Sequence, residues 1–382
     1  MTRIIADWLE SHPAQSVAAL LNTAGHHALF VGGCVRNTLL NEPVADLDLA
    51  TDAHPPHVLA LAEAARIRAI PTGIDHGTVT LVVDAVPVEV TTFRRDVETD
   101  GRRAVVAFST DISEDAQRRD FTMNAIYCDA GGQIVDPLNG LPDLQNRAVR
   151  FVGDPTARVR EDYLRILRFF RFHAWYGQNG LDQDGLDACA RNAGGLAKVS
   201  AERIGVEMLK LLAAPNPAPV TAAMAQSGVL AALLPGADPA PLTRLIDLYP
   251  HADAVLRLAC LGGEDVANRL RLSRADTRRL GLLHDHASGG ASPAALGHHL
   301  GEVDGLAALA LRAAWLEQRV SPGDQAKVEQ AARAIFPVTA QDLMPEFQGP
   351  ALGARLDQLR AAWIGSDFAM SRRDLLTLPQ PR

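Results

Sequence analysis

The stretch FVGGCVRNTLLNEPVADLDLATDA, residues 30–53, decides how the N-terminal part of this chain folds. Its first apolar letters end a buried strand, and Gly32 and Gly33 allow a tight turn before CVRNTLL begins a helix. Acidic and apolar residues then alternate around Asp46 and Asp48, which indicates a second strand. The stretch therefore predicts a strand, a glycine turn, a helix and an acidic strand in close succession.

The two acids of this second strand are candidate metal ligands. Alternate side chains of a strand share a face, so Asp46 and Asp48 point the same way while Leu47 and Leu49 point into the core. Carboxylates about 7 Å apart along a strand repel each other unless a cation lies between them. Mg²⁺ suits such a pair because it prefers oxygen ligands. The alternative is an exposed edge strand with alternating polarity.

A third acid, Glu89, lies in the β-rich run VPVEVTTF. Its side chain occupies one face of the predicted strand, and Val88 and Val90 occupy the other. If this strand lies beside the Asp46 strand, Glu89 joins the acidic cluster. There it would either bind a metal or act as a base toward a substrate hydroxyl that attacks a phosphate. The alternative is an ordinary exposed strand glutamate.

The glycine turn is a candidate phosphate site. Glycines before a helix N-terminus let backbone N–H groups approach a triphosphate, and Arg36 on the first helical turn adds a charge-assisted contact. A glycine turn alone is a weak signal. The glycine turn, the arginine and the two acids within 17 residues form a much stronger one.

Charge is distributed unevenly along the chain. The formal net charge is −8, but residues 1–146 hold 10 basic and 20 acidic side chains, and residues 147–215 hold 11 and 8. An acidic block suits a cation site and a basic segment suits phosphates. The alternative is a solvated charged surface.

The pattern of secondary structure changes near residue 149. Before it, TVTLVVD and VPVEVTTF are strands separated by a turn near Asp84-Ala85, and GQIVDP contains another short strand. After it, REDYLRILRFFRFHAWYG and SAERIGVEMLKLLAA have helical spacing. Beyond Pro215 we predict short helices, with breaks near residues 236, 293 and 322.

The composition also predicts a compartment. No window of about 20 apolar residues lacks charge, so we expect no membrane span. The opening MTRIIADWLESHP has polar residues where a secretory signal needs an apolar core. The four cysteines are far apart and have no metal-ligand spacing, which favours a reducing, cytoplasmic compartment.

Six ordered segments resemble a known family. They are FVGGCVRN…ADLDLATDA, GIDHGTVTLV, VEVTTFRRD, RRDFTMNAI, DPLNGLPDL and REDYLRILRFFRF. They are similar to segments of class II CCA-adding enzymes and bacterial poly(A) polymerases, which belong to the polymerase-β-like nucleotidyltransferase superfamily. The resemblance is dense over residues 28–212 and weaker beyond.

The resemblance implies an α+β head with a mixed, mainly antiparallel sheet, followed by an all-α neck, body and tail. The expected boundaries are 1–147 for the head, 148–215 for the neck and 216–382 for the body and tail. It implies addition of CMP, CMP and AMP to the acceptor end of tRNA from CTP and ATP, with two Mg²⁺ ions. With two metals, one ion activates the RNA 3′-hydroxyl and the other stabilises the leaving pyrophosphate.

The resemblance also implies roles for individual residues. Asp46 and Asp48 would bind the metals, and Gly32, Gly33 and Arg36 the triphosphate. The segment 94–108 matches a flexible loop that helps the change from CTP to ATP. The remaining residues would bind the nucleotide through its ribose, base or phosphates: Arg118, Arg119, Asp120 and Asn124 for the ribose, Asp162 and Arg165 for the base, Arg168 and Arg171 for phosphates.

The base-reading pair has its own physical logic. Residues three apart are neighbours on one helix face, so Asp162 and Arg165 are expected side by side. A carboxylate only accepts hydrogen bonds and a guanidinium only donates them. Cytosine and adenine both offer an amine beside a ring-nitrogen acceptor, whereas guanine and uracil offer the reverse order. The alternative for Asp162 and Arg165 is a surface ion pair, and for Asp120 it is a helix N-cap.

Several alternatives stay open. The chain has Asn37 where the family usually has Asp, so any role that needs a charge there is in doubt. The enzyme could be a poly(A) polymerase or add only CC or only A, and a catalytically silent RNA-binding protein would use the same scaffold. His284-Asp285 could belong to a phosphohydrolase, although surface histidines are expected. Trp175 and Tyr176 could stack on a base but are expected in the core.

Overall fold

The computed structural model describes residues 3–99 and 104–379. The chain divides into two compact units. The first comprises Met1–Glu207 with Gln226–Leu233, and the second comprises Met208–Ala225 with Leu234–Arg382. Among the described residues, no helix has both the length and the apolar character that crossing a membrane requires.

A seven-stranded sheet organises the first unit, in the order β3-β4-β5-β2-β1-β8-β9. Only β2 and β5 pair in parallel. The predicted mixed, mainly antiparallel sheet is therefore confirmed. The strands are β1 Leu29–Val31, β2 Leu47–Thr51, β3 Arg68–Gly73, β4 Thr78–Val83, β5 Val86–Thr92, β6 Arg94–Thr99, β7 Ala104–Phe108, β8 Tyr127–Asp129 and β9 Ile134–Val135.

Strands β6 and β7 form a separate antiparallel pair. They lie in the segment 94–108, for which a flexible loop was expected. Its described parts are strands because they pair with each other, and residues 100–103 lie outside the described residues. The predicted turn between β4 and β5 is confirmed, since Asp84 and Ala85 have φ angles of 51° and 63°. Such angles define the two-residue turn that suits the twist of a hairpin.

Helices cover the sheet and continue beyond it. The helices up to residue 233 are α1 Asp7–Glu10, α2 His12–Thr23, α3 Gly33–Leu40, α4 Pro55–Ala64, α5 Ile112–Gln117, α6 Leu141–Gln145, α7 Pro155–Glu161, α8 Leu164–Tyr176, α9 Gln183–Arg191, α10 Ala201–Leu212, α11 Ala218–Gln226 and α12 Val229–Leu233. Helix α8 buries Leu164, Leu167 and Phe170 on one side. Its arginines do not form a separate face, since Arg171 lies one turn after buried Leu167 and its own side chain is only 15% exposed.

The expectation of one continuous helix through REDYLRILRFF is wrong. Helix α7 ends at Glu161, and Asp162 has extended backbone angles of φ −150° and ψ 105°. The Asp162 carboxylate accepts a hydrogen bond from the backbone N–H of Leu164 at 3.1 Å. An acid that bonds its own following backbone competes with the helical hydrogen bonds, so the chain starts a new helix, α8.

The second unit is helical in its described part. Its later helices are α13 Ala240–Leu248, α14 Ala254–Leu261, α15 Val266–Arg269, α16 Arg274–Ser288, α17 Pro293–Trp315, α18 Pro322–Arg333, α19 Gly349–Gly365 and α20 Arg372–Leu376. Pro293 and Pro322 open α17 and α18, so both predicted breaks are helix starts, where proline is tolerated. The expectation of only short helices is wrong for α17, which has 23 residues and a kink at Gly301.

Candidate active site

Strands β2 and β5 place the acidic residues together. Asp46 immediately precedes β2, and Asp48 lies within it. Asp48 is the register partner of Glu89 across the parallel pair. Leu47 and Leu49 are 7% and 1% exposed, so the predicted alternation is confirmed. The sheet therefore brings Glu89 next to Asp48, as the pattern of the two strands predicted.

The acids interact electrostatically. Burial, with the charges of Glu89 and Asp46 acting in the same direction, raises the pKa of Asp48 to about 6. Arg119 and Arg36 act in the opposite direction. A carboxylate that is harder to ionise because of neighbouring carboxylates gains most from a bound cation.

The donor set fits a metal that shares its coordination with substrate. Within residues 3–99 and 104–379, no three His, Cys, Asp or Glu side chains form a ready-made metal cage. Mg²⁺ is usually held by one or two carboxylates plus substrate phosphates and water, so a complete protein cage is not required. Asp46 and Asp48 are two carboxylates of the kind that such a metal needs, and the glycine turn lies beside Asp48.

The glycine turn lies directly against this cluster. Gly32 has φ 74° and ψ −124°, a conformation that side chains disfavour, and it caps α3. A Cβ atom at Gly32 would lie 3.9 Å from both the Arg119 Nη1 and the Asp48 Oδ2 atoms. Glycine therefore keeps the space between an acid and a guanidinium clear for a ligand.

Arg36 is buried, and its hydrogen-bond partners among the residues that the structure describes are all neutral. Its guanidinium donates to the side-chain oxygen of Asn124 at 2.6 Å, to the Asn37 oxygen at 2.8 and 3.1 Å and to the Tyr176 hydroxyl at 2.9 Å. It also stacks on the Tyr176 and Phe172 rings. Burial lowers the pKa of Arg36. A buried guanidinium without a bound carboxylate retains its positive charge for an anionic ligand.

Asn37, the departure from the family pattern, has a defined role in this arrangement. Its oxygen accepts from Arg36, and its Nδ2 group donates to the Pro43 carbonyl at 2.6 Å. An ionised aspartate lacks that donor. Asparagine therefore orients Arg36 without neutralising it.

Asp115 was missed by the sequence reasoning. It is fully buried and binds Arg118 at 2.6 Å and Arg119 at 3.0 Å. It also accepts a hydrogen bond from the Tyr127 hydroxyl at 2.8 Å. Burial opposes ionisation, but the two arginines hold the pKa of Asp115 below its usual value. The available signal was the spacing, since Arg118 and Arg119 follow Asp115 of α5 by three and four residues.

Asp120 and Asn124 connect α3, the helix that follows the glycine turn, to α8. The Asp120 carboxylate accepts hydrogen bonds from Asn124 at 2.9 Å and from the Arg168 Nε atom at 2.8 Å. Burial would raise the pKa of Asp120, but Arg168 and these hydrogen bonds lower it. The N-cap alternative is wrong. The residue that caps the following 3-10 helix, Thr122–Asn124, is Phe121, and the Asp120 carboxylate binds Arg168 instead. One hydrogen-bond chain thus runs from Arg36 through Asn124 and Asp120 to Arg168.

Asp162 and Arg165 are close in sequence but do not share a helix face. Asp162 lies in the break between α7 and α8 and forms an ion pair with Arg203, with the shorter N–O distance at 2.6 Å. Arg165 pairs with Glu161 and donates to the backbone carbonyls of Arg158 and Arg118. The expected arrangement on one helix is therefore wrong, because the backbone changes direction at Asp162. Arg203 and Glu161 had no role in the sequence reasoning.

Glu207 forms ion pairs with two arginines of α8 and so partly neutralises the positive charge of that helix. Its carboxylate lies 2.6 Å from the Arg171 Nε atom and 3.7 Å from the Arg168 Nη1 atom. Glu207 is only 6% exposed, so these pairs are shielded from solvent. The arginines expected to face phosphates are therefore held by an acid that lies far away in sequence.

The aromatic and histidine alternatives have clear outcomes. Tyr176 packs on Arg36, whereas Trp175 is 40% exposed, so the expected core position is wrong for Trp175. His284 and Asp285 are exposed, with 3.9 Å between the Nδ1 and Oδ1 atoms. They belong to no group of three potential metal ligands among the described residues. The geometry there does not favour a phosphohydrolase.

The mixed sheet, its paired acids and the adjoining glycine turn define a nucleotidyltransferase with a polymerase-β-like head. Residues 28–150 match the family "Poly A polymerase head domain". Residues 180–240 match "Probable RNA and SrmB- binding site of polymerase A". The class of protein implied by the sequence is thereby confirmed.

Comparison with individual proteins shows which nucleotidyltransferases this chain resembles. The chain is 34% identical over 397 residues to mouse mitochondrial CCA tRNA nucleotidyltransferase 1, covering 95% of this chain and 88% of that protein. It is 44% identical over 214 residues to the CCA-adding enzyme of Streptococcus gordonii, covering 54% and 52%. The Bacillus stearothermophilus CCA-adding enzyme, crystallised with CTP, has a TM-score of 0.77 and 30% identity, covering 94% of each chain. The chain belongs to the class II CCA-adding enzymes, the family of CCA tRNA nucleotidyltransferases.

Proposed function

We propose that this enzyme adds C, C and A in turn to the 3′ end of tRNA, using CTP and ATP and releasing pyrophosphate. The observation that carries the proposal is the position of Asp48 and Glu89 beside the Gly32 turn, in a chain that aligns along 95% of its length with a CCA tRNA nucleotidyltransferase. The paired acids also argue against a silent RNA-binding protein, which gains nothing from clustered carboxylates that repel one another.

Two Mg²⁺ ions are part of the proposal, with Asp46 and Asp48 as ligands. Bound there, they would supply charge neutralisation on the triphosphate and a lower pKa for the attacking 3′-hydroxyl. Glu89 adds negative charge on the neighbouring strand and so strengthens the attraction of the cluster for a cation. The backbone N–H groups of Gly32 and Gly33 and the guanidinium of Arg36 bind the triphosphate.

The rest of the nucleotide lies along the hydrogen-bond chain that leads to α8. We assign the ribose to Arg118, Asp120 and Asn124, and the base to Asp162 and Arg165, with Arg168 and Arg171 nearby. Each carboxylate oxygen accepts more than one hydrogen bond, so Asp162 can bind a base amine while it retains Arg203. This arrangement supports selection of C and A without a template.

The proposed division of labour follows the boundaries inferred from the sequence. Residues 1–147 form the catalytic head, 148–215 the neck that reads base and ribose, and 216–382 the body and tail that bind the tRNA acceptor end by shape and backbone contacts. All four cysteines are buried and free, which supports a reducing compartment, and we propose the cytoplasm.

Product length tests the activity. Purified protein is incubated with Mg²⁺, labelled CTP or ATP and a tRNA transcript that lacks its last three nucleotides. Three added residues support the proposal, whereas two, one, a long A tail or no addition identify a CC-adding enzyme, an A-adding enzyme, a poly(A) polymerase or a silent protein.

Two variants test the residue assignments. Asp46→Ala should abolish incorporation and leave tRNA binding largely intact, while Asp75→Ala, an exposed acid outside the cluster, serves as the control. Near-normal extension by Asp46→Ala would remove Asp46 from the mechanism. Arg165→Ala should blur the selection of C and A before it destroys turnover, and unchanged selectivity would refute base reading by Arg165.

A further inference from the structure

The second unit contains a cavity of about 350 Å³ between α14, α15 and α16. Its wall includes Leu258, Val266, Leu280 and Gly281. Two acidic residues, Asp265 and Asp285, also line it, along with Thr277 and His284. The cavity is therefore largely apolar, with acceptor groups at a few points. Its volume suits a planar group of the size of a nucleobase.

Three exposed arginines flank this cavity. Arg269 ends α15, Arg274 begins α16, and Arg278 follows one turn later. Among the described residues, none of their side chains makes a hydrogen bond or an ion pair. The neighbouring Arg279, in contrast, binds Asp253 at 2.6 Å and Asp304 at 2.9 Å. The three arginines are thus available to an external anion.

Helical spacing places the arginines beside the cavity. Arg274, Arg278, Gly281 and Asp285 are separated by four, three and four residues, so they follow one face of α16. Gly281 and Asp285 line the cavity, and the two arginines continue the same face toward the N-terminus of the helix. A ligand that entered the cavity would have its outer end next to these guanidinium groups.

This combination fits one kind of ligand. A phosphate does not suit the cavity, because two carboxylates line it, whereas a base amine can donate to a carboxylate. Unstacked bases of RNA loops and ends commonly enter such pockets, while flanking phosphates bind arginines. We propose that the cavity holds one unpaired nucleotide of the tRNA and that Arg269, Arg274 and Arg278 bind the adjacent phosphates. The choice of partner rests on the proposed function.

A charge variant tests the arginines. Arg274→Gln/Arg278→Gln should weaken binding of a tRNA transcript lacking CCA by about tenfold or more at moderate salt. It should also reduce the slope of log Kd against log salt by about one per lost phosphate contact. Arg66→Gln/Arg68→Gln removes two exposed arginines of the first unit, outside the residues proposed to bind tRNA, and should change neither value.

A steric variant tests the cavity itself. A Cβ atom at Gly281 would meet nothing within 4 Å, so a larger side chain fits there and projects into the cavity. Gly281→Leu should raise the Kd for the same transcript by about tenfold, since it blocks a base contact, and should leave the salt slope unchanged. Gly281→Ala, which leaves most of the space open, should bind nearly as the wild type does. Melting temperatures verify that every variant is folded.

Two readouts separate this inference from the proposed function. If the wild type adds no nucleotide to the transcript, the proposed function is wrong, and the binding data still decide the inference. If the wild type extends the transcript but either test variant binds it with the wild-type Kd and slope, the inference is wrong and the proposed function stands.

Discussion

Asp48 shows how one residue can cost stability while serving a site. Burial and the charges of Glu89 and Asp46 raise its pKa from 3.8 to about 6. An acid with a raised pKa is protonated more readily in the folded state than in the unfolded state. This residue therefore favours folding most below pH 3.8, and the advantage is lost as the pH rises through about 6.

Asp48→Asn should consequently stabilise the metal-free protein while abolishing activity. Above about pH 7 we expect a gain of about 1 to 2 kcal/mol, reduced from the full linkage value because Asp48 is partly exposed to solvent. The gain should fall below pH 6 and vanish near pH 4, where the wild-type carboxyl is protonated. Melting temperatures of the wild type and Asp48→Asn, recorded in EDTA from about pH 4 to pH 8, measure this stability gain. Asp75→Asn is the control, and equal melting temperatures at pH 8 would contradict the argument.

Tyr176 holds the Arg36 guanidinium, so under the proposed function it is a positioning residue that acts on the nucleotide through Arg36. Tyr176→Phe keeps the ring under the guanidinium and removes the hydroxyl that accepts from Arg36 at 2.9 Å. We expect the KM for CTP to rise about threefold to tenfold with a smaller change in kcat, because a hydrogen bond to a charged group is lost. Steady-state kinetics measure both constants. Tyr249→Phe makes the same change in the second unit, and an unaltered KM in Tyr176→Phe would show that Arg36 needs no such support.

At the scale of elements, the break between α7 and α8 determines how the two residues proposed to read the base, Asp162 and Arg165, are placed. The break removes Asp162 from the face of α8, and the first residues of α10 supply Arg203 as its partner. Both side chains are partly exposed, so this ion pair contributes little to stability, about 1 kcal/mol or less. Its consequence is geometric, since a paired carboxylate samples fewer orientations.

Arg203→Ala should therefore affect selectivity more than stability. With its partner removed, Asp162 is less well oriented, and the ratio of CMP to UMP incorporation should fall severalfold. The melting temperature should change little. Single-nucleotide incorporation assays with CTP and UTP measure the ratio. Arg191→Ala removes another exposed arginine that pairs with an aspartate, Asp187, and should leave selectivity unchanged. Unchanged selectivity in Arg203→Ala would mean that the ion pair with Arg203 does not position Asp162.

At the scale of the whole molecule, close backbone contacts hold the second unit together. Helices α17 and α18 meet at Gly297, where an added Cβ would lie 2.1 Å from the Val328 carbonyl oxygen. Backbone atoms cannot yield as a flexible side chain can. Glycine is therefore required where these two helices touch, and a larger residue must push them apart.

Gly297→Ala should destabilise the second unit by about 1 to 3 kcal/mol, the usual effect of overpacking. Gly281→Ala makes the same change in α16, where the added Cβ meets nothing, and should be neutral or stabilise the helix by up to about 1 kcal/mol. Urea unfolding followed by circular dichroism compares the two variants. Equal stability would contradict the close contact between α17 and α18.

The sequence by itself determined the strands that carry the acids, the glycine turn and the acids of the head. Asp46, Asp48 and Glu89 could be read because strand alternation and turn chemistry are local properties of the chain. The same local signals predicted breaks near residues 293 and 322, and the structure shows that Pro293 and Pro322 begin helices there, since proline suits a first helical turn.

Only the tertiary structure decided which charged groups meet. Asp120 with Arg168, Arg171 with Glu207 and Asp162 with Arg203 join residues 36 to 48 positions apart. No periodicity records such pairs, because they depend on how separate helices pack and on how burial changes the cost of each charge. The break at Asp162 has a local cause instead, since its side chain bonds the backbone of Leu164, and the structure was needed to show that this bond overrides an apolar pattern that favoured one continuous helix.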